Sequence, residues 1–385
     1  MTWSVYQHWD PLKVCVVGRS YPPEFYSWIT SPHIRTLFER IAIETEEDYQ
    51  CIIRKLQEFG VQTVRPDLPT EPFKDGKYLR PPVTPRDHTI MIGSTFYSNI
   101  PMYDFGYFYW NARQSGWPDC NSAAEIDNLP IGIREHCIEL HEKYQQTINN
   151  TGYNNIFNLI KSNGNYIKTF LDPRVTGAMV SRIGKDLYFG TYDYNEDVVK
   201  LQSIVDAEFN NTRNHAVNTG GHSDGTYCPV CPGLIISSYD VKTYKDTFPG
   251  WEVVYLPYSN LGKVSRFRHM KNKSQGKWWI PGFEHDQEVA DLVETYMNDW
   301  TGYVEETIFD VNMLIIDPKN VLVFNYNKKV FDALSRYGIT AHIVPFRHRY
   351  FWDGGVHCIT SDLHREGSMQ DYFPEKKENI TKAKE

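Results

Sequence analysis

At 385 residues the chain has room for one large domain or two ordinary ones, and its 41% hydrophobic and 23% charged residues are the proportions of a soluble globular protein. A net charge of −8 argues against a general nucleic-acid binder, and no apolar run approaches the roughly 20 residues that span a bilayer. Seven irregularly spaced cysteines, in a chain too large to need disulfide staples and without a signal-like start over Met1 to Asp10, point to reduced thiols and a cytoplasmic location.

In chain order, short apolar strands alternate with helices. Val14-Cys15-Val16-Val17-Gly18 reads as a buried strand. Leu37, Ile41, Ile52, Leu56 and Phe59 carry helical spacing over 36–59, which Gly60 closes, and a strand resumes at 61–64. The order recurs with Ile90-Met91-Ile92-Gly93 and a helix expected over 132–148; between them Tyr97 to Trp117 is aromatic without a period and reads as a long ordered loop. Strands are expected at 178–183, 187–190, 234–237 and 252–256, with a helix at 196–209. Gly262 to Lys277 gathers six basic residues ahead of Trp278-Trp279. Such a pattern can bind single-stranded nucleic acid, but an isolated basic run in an acidic chain reads as a solvated loop.

The last unit is the clearest. Strands at 312–316 and 321–324 flank a Pro-Lys-Asn turn, a helix at 328–337 ends at Gly338, and a strand at 341–345 leads towards Cys358. Fragments of this strand-strand-helix-strand unit appear about five times, a weak structural repeat. Residues 1–370 are expected to form a single domain and 371–385 a charged, frayed tail.

The chemistry concentrates in three segments. In Trp352-Asp353-Gly354-Gly355-Val356-His357-Cys358, two glycines let the backbone bend just before a thiol, a way to present a nucleophile at a strand end. In Gly220-Gly221-His222-Ser223-Asp224-Gly225 the histidine stands among glycines, and His222 and Asp224 share one side of an extended segment. Thr84-Pro85-Arg86-Asp87 supplies a further carboxylate, for which a turn role is an equal alternative. A cysteine with a distant histidine and carboxylates outlines covalent catalysis, because a thiolate needs a base and its substrate needs orienting. His222, Cys228 and Cys231 also spell H-x5-C-x2-C, but zinc deaminases need His-x-Glu with the cysteine pair much further downstream. No metal is assigned and, without a phosphate loop or GxGxxG, no cofactor.

Taken together the chain resembles the amidinotransferase family of the guanidino-group-modifying pentein superfamily. The resemblance runs through Tyr6-x-x-Trp9-Asp10-Pro11-Leu12, Val17-Gly18-Arg19, Pro85-Arg86-Asp87, Arg182-x-Gly184-x-Asp186 and His222-x-Asp224. It continues through Pro345-Phe346-Arg347-His348, Gly354-Gly355-x-His357-Cys358-x-Thr360-x-Asp362 and Gln370-x-Tyr372. It implies an α/β pentein, a five-fold pseudosymmetric propeller of strand-helix modules around a central channel that holds the active site. It also implies transfer of the amidino group of L-arginine, or a similar guanidino donor, to an acceptor amine, with release of ornithine. Cys358 would attack the guanidinium carbon, and His222 would protonate the leaving amine and then deprotonate the acceptor. Asp87 and Asp224 would clamp the guanidinium, with Arg86 and His357 beside them in the substrate site. The partners implied are small molecules, not nucleic acid or membrane, and a homodimer is compatible with the sequence.

Two departures stand out. The family carries an acid that orients the catalytic histidine shortly before the Arg182 anchor, where this chain reads Thr176-Gly177-Ala178-Met179; Asp172, four residues before Thr176, is the available substitute. Glycine-specific members have Asn-Pro-Met before the histidine, whereas Thr219-Gly220-Gly221 implies a roomier acceptor pocket. A guanidino hydrolase and a non-catalytic guanidino-compound binder are the alternatives.

Overall fold

The computed structural model describes residues 2–99, 151–172, 175–191, 196–219, 222–238, 244–256, 280, 282–283, 286–297, 300 and 309–376. Among them lie five three-stranded sheets with one pairing plan: a central strand pairs antiparallel on one side and parallel on the other. In the second sheet Thr95–Ser98 pairs antiparallel with Thr89–Ile92 and parallel with Tyr166–Lys168, which follows the helix Asn154–Ser162. The third repeats this with Asp186–Thr191 between Val180–Ile183 and Arg213–Asn218, across the helix Glu196–Glu208. The fourth sets Leu234–Ser237 between Tyr227–Cys231 and Glu252–Tyr255. In the fifth, Asn320–Val323 lies between Leu314–Asp317 and Thr340–Ile343, across the helix Lys328–Arg336. The first sheet obeys the same plan with its antiparallel strand supplied from the other end of the chain. Leu12–Val17 pairs parallel with Gln62–Val64 across the helix Pro32–Glu58, and antiparallel with Thr360–Arg365. The weak repeat in the sequence is therefore a repeat of topology.

Apart from the part-exposed third strands Gln62–Val64, Tyr166–Lys168, Arg213–Asn218, Glu252–Tyr255 and Thr340–Ile343, most strands read as apolar runs because both faces are buried, each against a different neighbour. Val14 and Val16 pack with Met91, Phe96 and Leu363, while Cys15 and Val17 between them pack with Leu37, Ile41 and Tyr49. Ile90 and Ile92 face Val180, Leu187 and Phe189 of the third sheet, whereas Met91 faces back to the first. Leu314 and Ile316 join the core around the helix Pro32–Glu58, and Met313 and Ile315 join that of the third and fourth sheets. A one-residue slip in any of these strands would exchange its two cores, so alternation fixes register as firmly as it would in a half-exposed sheet.

The long helix starts at Pro32, earlier than the expected 36, because proline at the first helical position has no N–H to satisfy. It buries Ile34, Leu37, Phe38, Ile41, Tyr49, Ile52 and Leu56 along one stripe. Residues 178 and 179, expected as strand, belong to a 3-10 turn over Gly177–Met179 ahead of Val180–Ile183. The expected tail begins as packed chain: Arg213 bonds the Asp371 carboxylate, Phe373 is buried, and the Lys376 ammonium lies over the Tyr188 ring. Residues 377–385, the helix expected over 132–148, the basic run of 262–277 and all of the aromatic loop past residue 99 lie outside the described residues.

One buried ion cluster ties these sheets together. Asp362, fully buried on Thr360–Arg365, accepts from Arg86 Nη2 at 2.6 Å, from Arg182 Nη2 at 2.9 and 2.8 Å, and from Arg365 Nε at 2.6 Å. The same guanidiniums bind main-chain carbonyls of Thr360, Met91, Asp10 and Ile315. Burial alone would raise the Asp362 carboxyl, but the three arginines hold it well below the usual carboxylate range.

Asp362→Ala leaves buried guanidiniums without their anion, for which a loss of about 3–5 kcal/mol is expected. Chemical denaturation at neutral pH checks it; a change below about 1 kcal/mol would contradict the role, since that is what an exposed ion pair contributes. Because the folded pKa is depressed, the contribution of Asp362 is present above the unfolded value near 3.9 and fades as pH falls through the folded one. The difference between wild type and variant should therefore shrink only in strong acid.

Candidate active site

Five short segments stand at equivalent places, each just before the first strand of its sheet. Asp87 precedes Thr89 by two residues, Asn312 precedes Leu314 by two, and Cys358 precedes Thr360 by two. Asp224 precedes Tyr227 by three, and Gly177–Met179 runs directly into Val180. Repeated topology thus brings together side chains from four of these loops, with the third sheet's loop packed against them through its main chain.

Cys358 lies in a turn over 356–359, with Ile359 N–H bonded to the Gly355 carbonyl at 3.0 Å. The glycines before it act by giving room, since the left-handed residue here is Asp353 (φ 49°). A Cβ on Gly355 would stand 2.2 Å from the Asn312 Oδ1, and one on Gly354 would stand 2.9 Å from the Thr84 side chain. Asn312, which the sequence reading passed over, fills the space so created. It accepts from the His357 and Cys358 N–H groups at 2.8 and 3.2 Å, and donates to Cys358 Sγ and to the Asp224 carbonyl, both at 3.1 Å.

Around the sulfur stand two carboxylates and two histidines. Asp224 Oδ2 lies 3.4 Å from Sγ and 2.7 Å from His357 Nδ1. Burial pushes the Asp224 carboxyl up, but the His357 hydrogen bond and the neighbouring histidines bring it below its ordinary value. Burial and then Arg86 lower His357, so a neutral ring donates its Nδ1 proton to an ionised Asp224. Asp87 Oδ1 lies 3.8 Å from His222 Nδ1, and its Oδ2 3.9 Å from Arg80 Nη1. Arg80 in turn donates to the Trp352 carbonyl at 2.6 Å, a link between the Asp87 segment and the cysteine loop that the sequence reading also missed. Among the described residues, Asp224 Oδ1 and Asp87 Oδ1 are both buried without a hydrogen-bond partner. For the Cys358 thiol, burial and then the charges of Asp224 and Asp87 push its pKa well above the usual 9, against the hydrogen bonds from Gly355 and Asn312.

The remaining expected residues sit elsewhere. Arg86, expected in the substrate site, is fully buried and spends its side chain on Asp362 and the Thr360 carbonyl; only its backbone N–H touches the site, at the Cys358 carbonyl. His357, also expected to bind substrate, has its ring buried on Asp224. Asp172 is buried beside Glu208, whose carboxyl burial pushes up to about 7 with Asp172 adding to the shift. In the third sheet's loop the space is taken by main chain: a Cβ on Gly177 would stand 2.5 Å from the carbonyls of Arg86 and Thr89, and the Met179 carbonyl accepts from Ser223 Oγ at 2.7 Å. Cys228 and Cys231 lie buried on Tyr227–Cys231, their thiols raised by burial to about 12 and about 11. Among the described residues no group of three or more His, Cys, Asp or Glu is arranged to hold a metal ion, and no helix is long and apolar enough to cross a membrane. Gly220 and Gly221 lie outside the described residues.

No family model matches the chain. Inosamine-phosphate amidinotransferase 1 of Streptomyces glaucescens is 22% identical over 96% of this chain and 98% of its own length. L-arginine:L-lysine amidinotransferase of Pseudomonas savastanoi pv. phaseolicola is 23% identical over 55% of this chain and 50% of its own. Among solved structures, inosamine-phosphate amidinotransferase from Streptomyces griseus superposes with a TM-score of 0.58 at 18% identity, covering 96% of this chain and 99% of that one. The chain therefore shares the mixed α/β fold of a solved amidinotransferase, and it resembles the amidinotransferases over nearly its whole length.

Proposed function

We propose that this protein is an amidinotransferase that carries the amidino group of an arginine-like donor on Cys358 and passes it to an amine. The observation that carries the reading is the pair of buried carboxylate oxygens, Asp87 Oδ1 and Asp224 Oδ1, left without hydrogen-bond partners beside a buried thiol. Buried ionised oxygens call for a donor, and a planar guanidinium presents several N–H groups together with the opposite charge. The relatives named for amidino transfer support the same chemistry.

In this reading the guanidinium enters between Asp87 and Asp224, with its carbon towards Cys358. The incoming positive charge cancels the two carboxylates that disfavour the thiolate, so binding the donor itself makes the sulfur a better nucleophile. His222 takes the thiol proton as the S–C bond forms and returns it to the leaving nitrogen as the C–N bond breaks, releasing ornithine from arginine. In the second half His222 takes a proton from the acceptor amine, the new C–N bond forms, and the S–C bond breaks to restore the thiolate. Asp87, 3.8 Å from His222, is the carboxylate that steadies the imidazolium in both halves, the role expected of Asp172, which lies beside Glu208 instead.

Incubation with isotopically labelled arginine and no acceptor should give an amidino-sized adduct mapping to Cys358 by mass spectrometry. Citrulline accumulating instead would establish the hydrolase, and bound arginine without adduct or product would mark a binding protein. Cys358→Ala should abolish the adduct and retain arginine binding; arginine turnover by that variant would remove the thiol from the mechanism.

Asp224→Asn should have two opposite effects. Donor affinity should fall about ten- to hundredfold as a charged hydrogen bond is lost. Alkylation of Cys358 by iodoacetamide, rising in the wild type without a plateau up to pH 9, should begin at lower pH because a charge that raises the thiol pKa is gone. An unmoved alkylation profile would contradict the electrostatic assignment.

A further inference from the structure

We propose that Asn312 positions the Cys358 sulfur and supplies the hydrogen bond that holds it as a thiolate. The proposal rests on Cys358 being the nucleophile of the reading above, and it adds a residue from the fifth sheet that no sequence motif marked.

The carboxamide of Asn312 spends every strong hydrogen-bonding capacity on the cysteine loop and the main chain of Asp224. Its oxygen takes the consecutive N–H groups of His357 and Cys358, and its two N–H groups go to Cys358 Sγ and to the main-chain carbonyl of Asp224. These partners fix the orientation of the amide. A flipped side chain would set its NH2 against two backbone donors and its oxygen against a carbonyl. The residue is 1% exposed, and Gly355 leaves room for it where any side chain would collide with its oxygen. Position and rotamer are therefore both determined by the packing, as a catalytic support requires.

The chemical sense of the contact follows from what each neighbour of the sulfur can do. Asp224 Oδ2, an ionised acceptor 3.4 Å away, is compatible with S–H and opposes S⁻. Asn312 Nδ2 can only donate, and a donor stabilises S⁻ more than S–H. Once a guanidinium engages Asp224, the acceptor's hold on the sulfur is released while the Asn312 N–H stays in place. The same N–H meets the sulfur again when it leaves as the S–C bond breaks in the second half. Asn312 exchanges no proton and forms no covalent bond in either half.

Two substitutions separate the donor from the scaffold. Asn312→Asp keeps an oxygen for the two backbone N–H groups and replaces the donor to the sulfur and to the Asp224 carbonyl with an acceptor; Asn312→Ala removes all four contacts and adds no charge. For Asn312→Asp we expect a lower melting midpoint, because the donor to the Asp224 carbonyl is lost and a carboxylate is buried, together with Cys358 alkylation displaced to higher pH by at least about one unit and kcat lower by about 10²–10³ with donor KM within about threefold. For Asn312→Ala we expect the same displacement together with a lower melting midpoint. Wild-type alkylation and kcat in Asn312→Asp, or an Asn312→Ala protein that melts earlier but alkylates like wild type, would overturn the donor role and leave Asn312 as scaffold alone. Alkylation mapped to Cys358 does not depend on amidino transfer. A displaced profile in a protein that transfers nothing would sink the proposed function and keep this one, whereas an unmoved profile in an active transferase would do the reverse.

Discussion

A single buried carboxylate, Asp362, holds the parts of the candidate site in relation to one another. It lies four residues beyond Cys358 on the strand that closes the first sheet, and it binds the arginine adjacent to Asp87 and the arginine that opens the third sheet's turn. Arg365, its third partner, reaches the carbonyl of Ile315 on the strand that Asn312 precedes. The loops bearing Cys358, Asp87 and Asn312 are thus each anchored within a few residues of the same ion cluster. Three guanidiniums against one carboxylate leave an excess of buried positive charge, which carbonyl dipoles only partly absorb. That excess acts on the histidines above it. Arg182 and Arg86 add to the burial that lowers the pKa of His8 and His357, and the hydrogen bond from His357 helps hold Asp224 below its ordinary value as an acceptor. Stability and electrostatic tuning of the site come from one cluster, so a change there would be felt in both.

The sequence showed the strands more readily than their partners. Runs such as Asn312-Met313-Leu314-Ile315-Ile316 are apolar throughout because successive residues serve different cores, and a pattern with no alternation names a buried strand without saying what covers it. The helix Pro32–Glu58 was legible from its spacing because its polar face is solvated, while its first turn, opened by Pro32, precedes the first residues that carry that spacing. Arg213–Asn218 and Tyr227–Cys231 went unread, being polar in the one case and interrupted by Pro229 in the other. The first sheet could not be read locally at all, since Leu12–Val17 finds its antiparallel partner more than three hundred residues away.

Within the site, the residues that were legible are those whose surroundings are unusual for a core. Cys358 beside two glycines, and His222 beside two more, stand out because neither setting suits a buried hydrophobic position. Asn312 did not stand out, because an asparagine ahead of an apolar run is what a turn usually offers. The signal that marks it is positional: it occupies in the fifth sheet the place that Asp87 holds in the second and Cys358 in the first. Arg86 was misread for the opposite reason. It adjoins a site residue in sequence, but in a 3-10 turn consecutive side chains diverge, and its guanidinium turns inward to Asp362 while Asp87 faces the thiol.

The third sheet's loop shows how the same scaffold can drop a charge without losing its shape. Gly177 sits against the carbonyls of Arg86 and Thr89, and Met179 receives Ser223 through its main chain, so this loop braces the segments that carry Asp87 and Asp224. Every carboxylate close to Cys358 raises the cost of forming the thiolate, and here Asp224 and Asp87 already do so. A third acid at this loop would steady His222 but would further disfavour S⁻. In the proposed mechanism, Asp87, 3.8 Å away, would then serve His222, which would couple its acid-base chemistry to the carboxylate proposed to hold the guanidinium. In that arrangement donor binding and histidine charge are no longer independent: a guanidinium on Asp87 draws on the same carboxylate that stabilises the imidazolium.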